Sequence, residues 1–229
     1  MSVNPKPRWR SRIASVESAA VAGLLCALGW SLGIRGLLES PGISAGPLEI
    51  STFYANPDAG RNTLILLQVM VFATIAFLWF IGVIRNRLGD NEPKLFGTAF
   101  LGGAVSFAVV LLVGSAALAA PAVLVWVGGV TPDPGASSIS RATAVILLSV
   151  VAPRMATLVI FSTATLARAT GALPIWLVWL SYEIGIIEFV NFTVSEPTIY
   201  SFPAWIALVS IVMLIRRPTR HVPPEFDQR

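Results

Sequence analysis

From residue 63 to 84 the chain reads TLILLQVMVFATIAFLWFIGVI, with no charge and one amide, Gln68. About 20 mainly apolar residues are what a helix needs to cross the ~30 Å hydrocarbon layer of a bilayer. A run of this kind therefore restricts the fold more than any other feature of the sequence. Five further segments are of comparable length and character, giving expected spans at about 14–38, 63–84, 97–120, 142–167, 172–192 and 200–216. The expectation is an all-α, polytopic transmembrane bundle of six spans. Composition agrees: 12% of the 229 residues are charged, about half the share usual in soluble domains.

The expected organisation is a basic segment at 1–13, a membrane domain at 14–216 and a tail at 217–229. The first apolar stretch is longer than the 7–15 residues of a signal-peptide core, so an uncleaved first span is expected. Cations then orient the bundle. With the N-terminus inside, twelve face the cytoplasm: Lys6, Arg8, Arg10, Arg12, Arg85, Arg87, Lys94, Arg168, Arg216, Arg217, Arg220 and Arg229. Three, Arg35, Arg61 and Arg141, face the other side. The bias lies close to the spans, where the positive-inside rule applies, and puts both termini in the cytoplasm. The net charge of +4 is thereby explained by topology, and nucleic acid is not an expected partner. The bilayer is.

Loops and breaks follow from Gly and Pro. The stretch at 39–62, rich in Gly, Pro and Ser, is the longest connection and is expected to hold short irregular structure. Pro121 is expected to end or bend the third span, leaving 121–130 as an interfacial extension. Gly171 suits the left-handed residue that closes a helix, and Pro174 the first turn of the next. A tight antiparallel hairpin is expected there, with Trp176 and Trp179 on one face near the interface. Gln68 is expected to donate an interhelical hydrogen bond, and Gly29 to Gly33 matches the small-xxx-small pattern of close helix packing.

Enzyme motifs are absent. There is no HExxH, GxSxG, phosphate loop or dinucleotide fingerprint. One cysteine, Cys26, and one histidine, His221, do not make a metal site. Neither a catalytic centre nor a cofactor is expected.

The chemistry worth locating is therefore the charge inside the apolar runs. Arg154 directly follows Pro153, and Glu183 and Glu188 lie in the next segment, with Gly185 and Asn191 on the arc between and beside them. Counted from a turn near residue 170 at ~1.5 Å per residue, Arg154, Glu183 and Glu188 lie about 24, 20 and 27 Å along their helices. Arg154 is expected between the two carboxylates in depth, paired with one or both. Pro153 also frees a carbonyl one turn earlier, which the guanidinium can meet. The two carboxylates are five residues apart and project about 140° from each other, so one arginine reaches both only by packing between them. The same polar arc is the candidate surface for docking a partner helix.

The pattern T-G-x-L-P-x-W-L-x-W-L at 170–180, with FYANPDAGRNTL and FLWFIGVIRNRL, resembles a broad group of multi-pass membrane proteins of actinobacteria. More loosely it is similar to accessory membrane subunits of Mce-type lipid import complexes. The resemblance covers the layout of residues 50–217 and implies six helices in the plasma (inner) membrane with no assigned reaction. The chain departs from the group at Arg154, Glu183 and Glu188, where the usual residues are apolar. The function expected is a non-enzymatic membrane subunit or modulator of a cell-envelope complex, in lipid transport, with other membrane subunits as partners. The alternative is a small proton-coupled carrier using the intramembrane carboxylates.

Overall fold

The computed structural model describes residues 16–88, 94–191 and 196–215. The basic segment 1–13 and the tail 217–229 lie outside the described residues. All described elements are helical: α1 Val16–Leu38, α2 Pro47–Ala55, α3 Pro57–Leu88, α4 Lys94–Trp126, α5 Pro134–Ile146, a π-turn Leu147–Val151, α6 Ala152–Thr170, α7 Ile175–Val190, a 3-10 turn Glu196–Tyr200 and α8 Ser201–Ile215. Among the described residues, five helical stretches are long and apolar enough to cross a membrane: 17–38, 58–85, 97–126, 134–170 and 198–215. The expected span at 172–192 resolves into α7, which has 16 residues. At ~1.5 Å per residue it is about 24 Å long, short of the hydrocarbon thickness.

α1 packs on α3 and α8 and more lightly on α4, while α4 packs on α3, α5 and α6. α7 lies mainly on α6 and meets α8 more sparsely. Small residues permit the closest approaches. A Cβ on Gly33 would stand 2.5 Å from Met70 Sδ, and one on Gly29 would stand 2.8 Å from Ala73 Cβ. The small-xxx-small spacing thus joins α1 to α3, through dispersion contacts that lipid cannot match. At mid-bundle, Trp30 of α1 meets Phe77 of α3 and Phe107 of α4 at ring distances of 4.9 and 5.2 Å. Phe202 of α8 completes the cluster, 4.5 Å from Phe107. The indole nitrogens are satisfied by hydroxyls: Trp30 donates to Thr74 at 3.1 Å and Trp205 to Ser181 at 2.9 Å. Gln68, by contrast, is exposed on α3, and among the described residues no hydrogen bond across the bundle involves it.

Several boundaries differ from expectation, each for a local reason. The loop at 39–62 contains α2, and α3 begins at Pro57. The helix expected from 142 begins at Pro134, because Asp133 caps it by accepting from Ala136 N at 3.0 Å. α4 continues through Pro121 to Trp126. Pro121 has no N–H for the carbonyl four residues earlier, that of Ala117. Ser140 on α5 replaces it, its hydroxyl donating to Ala117 O at 2.6 Å. A neighbouring hydroxyl is one of the ways a membrane helix retains an internal proline.

Gly171 closes α6 at φ +68°, as expected, and Pro174 sits one position before α7, at its N-cap. Trp176 and Trp179 are both exposed on α7, and the Arg168 guanidinium lies 5.6 Å from the Trp179 ring centre.

Candidate intramembrane charge site

The site forms where the long helix 134–170 changes its winding. Across Leu147–Val151 the helix widens into a π-turn, in which Ala152 N donates to Leu147 O. Pro153 follows and offers Ser149 O no donor. Such irregular turns leave carbonyls open to other partners and are frequent at functional sites. Ser149 itself is buried and donates to Val145 O at 2.6 Å.

Arg154 is half-buried on this turn. Its Nη1 donates to Val150 O, and Nη2 donates to Asn191 O at 2.9 Å. Asn191 caps the C-terminus of α7. The guanidinium therefore sits at the C-terminal end of α7, beyond Glu188 rather than between the two carboxylates, and binds an end carbonyl that carries partial negative charge. The carbonyl it meets on its own helix is Val150, next to the one that Pro153 frees.

Glu188 is brought to the same place. It is 4% exposed and lies near Arg154 and near Ser201 of α8. Its Oε2 is buried with no hydrogen-bond partner. The Ser201 hydroxyl donates to Thr198 O at 2.6 Å. Thr157 adds to the lining, donating to Pro153 O at 3.1 Å and lying 3.4 Å from Gly185 O.

Gly185 and Glu183 separate. Gly185 is buried against α6, and a Cβ there would run into the Phe161 ring. Its smallness serves the contact between α6 and α7, not an open docking surface. Glu183 points the opposite way and is exposed. Among the described residues no hydrogen bond or ion pair reaches it. The one ion pair formed wholly among the described residues, Arg35 to Glu39 at 3.9 Å, is exposed at the end of α1.

Sequence reasoning missed a second buried cation. Arg141, 7% exposed, donates from Nη1 to Ser40 O and Ser40 Oγ at 3.1 and 3.0 Å, and from Nη2 to Leu38 O at 3.0 Å. It closes the C-terminus of α1. The missed signal was DP at 133–134, which starts the helix early enough to carry Arg141 into the bundle. Tyr54 of α2 lies nearby, and burial pushes its phenol up to about 12 against the opposing influence of Arg141.

Among the described residues no group of His, Cys, Asp and Glu is placed to hold a metal ion. Comparison with protein-family models, curated proteins and solved structures returned no match.

Proposed function

We propose that this chain is a non-enzymatic integral subunit or modulator of a larger cell-envelope complex in the plasma membrane. The observation that carries this reading is α7: a 16-residue helix seated mainly on one neighbour, whose outward face bears large apolar residues and the unpartnered Glu183. A helix too short to cross unaided, with a charge turned outward, is suited to a protein neighbour. In this reading α7 is a sixth crossing and both termini are cytoplasmic, as the twelve-to-three cation bias supports. Lipid transport is the task proposed for the complex, on the resemblance to accessory subunits of lipid importers.

A photoreactive residue in place of Ile187, 63% exposed on α7, tests the reading in growing cells. Illumination is expected to give a discrete adduct with another membrane protein; adducts with lipid alone refute it. Orientation has its own test. Cys26 is buried, so single cysteines can be added without removing it. Cysteines at the exposed Ser44 and Ala136 are expected to react with impermeant reagents from outside, and one at the exposed Ala169 only after lysis. Labelling at Ala169 in intact cells refutes the orientation.

A second reading, a proton-coupled carrier, is favoured by the buried Glu188 and its unpartnered Oε2. It predicts flux in vesicles holding this protein alone, abolished by Glu188→Gln.

A further inference from the structure

We propose that the outward face of α7 docks a membrane-spanning helix of another protein that carries a lysine or arginine at the depth of Glu183. The inference rests on the subunit reading and adds the chemistry of the partner. Trp176, Trp179, Glu183, Ile187 and Val190 recur at three- and four-residue steps, so they share one stripe. Trp176, Trp179, Ile187 and Val190 are each more than half exposed, and Glu183 stands at their centre, about 12 Å from either end of α7. The apolar residues alone fit lipid. The carboxylate does not, since hydrocarbon offers it neither a donor nor a counter-charge.

Among the described residues, the chain's own cations near this helix make no ion pair with Glu183. Arg154 donates to Val150 and Asn191, and Arg168 lies against Trp179 one turn nearer the α6–α7 hairpin. A second copy is a poor occupant, because a two-fold contact through this face sets Glu183 against Glu183. A lipid headgroup lies at the membrane surface, too shallow to meet a carboxylate at mid-helix. A helix bearing a base within its apolar run meets both requirements.

The test uses the full chain in lipid vesicles with synthetic single-span peptides, a Leu/Ala host carrying Lys, Leu or Glu at the matched depth. Energy transfer between labels on protein and peptide reads association. The Lys peptide is expected to bind about tenfold tighter than the Leu peptide. Glu183→Gln is expected to abolish that preference while leaving the melting temperature unchanged, as befits an exposed side chain. Glu183→Lys is expected to prefer the Glu peptide. Equal binding of the Lys and Leu peptides, or a preference that survives Glu183→Gln, overturns the proposal. The Ile187 photo-adduct separates the two levels of inference. A partner whose contacting helix holds a basic residue supports both. A partner whose contacting helix lacks one leaves the subunit reading standing and overturns this one, and the lack of any protein adduct overturns both.

Discussion

Arg141 and Arg154 enter the bundle from the same long helix and are treated differently. Among the described residues, Arg141 donates to three uncharged oxygens at the end of α1. Arg154 meets carbonyls from two helices and has the carboxylate of Glu188 nearby. Carbonyls at a helix end can hold a buried arginine. The last carbonyls of a helix have no partner within it, and a guanidinium with five donors can take several at once. The Arg141 site holds α5 against α1. The Arg154 site retains an unused oxygen on Glu188, which gives it capacity for further chemistry.

Removing each cation is the strongest way to break this comparison. Arg141→Leu strands the carbonyls of Leu38 and Ser40 in the interior and is expected to cost about 3–5 kcal/mol, read as a lower melting temperature in detergent. Arg141→Lys is expected to rescue little, because an ammonium cannot reproduce the fork of two nitrogens. If lysine restores the wild-type melting temperature, the paired geometry is not what matters.

Arg154→Leu is expected to cost about 2–3 kcal/mol, since two carbonyls lose a charged donor. Adding Glu188→Leu is expected to recover part of that loss, because the carboxylate no longer lacks its counter-charge. Adding Glu183→Leu is not, since Glu183 faces away from Arg154. A double-mutant cycle on melting free energies reads the coupling. Coupling to Glu183 but not Glu188 would reverse the assignment of faces on α7.

Near Arg141, Ser140 supplies a smaller effect. Ser140→Ala leaves Ala117 O without its donor and is expected to cost about 1–2 kcal/mol. In a Pro121→Ala background, where the backbone N–H returns, the same change is expected to cost almost nothing. Equal costs in the two backgrounds would mean that the hydroxyl does not substitute for the missing N–H.

The smallest effect is confined to alkaline pH. The phenol of Tyr54 lies near 12 in the fold and near 10 in an unfolded chain. Between those values the folded state holds the proton more firmly, so stability falls as pH rises from about 10 to about 12 and is unaffected below. Tyr54→Phe is expected to flatten that part of the melting-temperature profile.

Much of the helical layout was legible in the residues, because length, apolarity and helix-closing chemistry act locally. The hairpin at Gly171, the two exposed tryptophans beyond it and the small-residue contact at Gly29 and Gly33 are of this kind. Helix starts were read less well. Asp133 and Pro134 carry a plain capping signal, but it lies ahead of the apolar run and was overshadowed by it. The continuation of α4 through Pro121 was not legible, because the hydroxyl that permits it comes from another helix.

The charge site divides along the same line. That Arg154 and a carboxylate of the following helix lie at comparable depth follows from counting residues about a turn, which the sequence determines by itself. Which carboxylate turns inward does not. Glu183 and Glu188 are separated by about 140° around their helix, so one face or the other must be chosen. That choice was made by tertiary packing: Phe161 of α6 lies in the space that a side chain on Gly185 would fill, which rotates Glu188 towards Ser201 and Glu183 away from the bundle. The rotation of a helix about its axis is set by the surface it packs against, and that surface belongs to its neighbours.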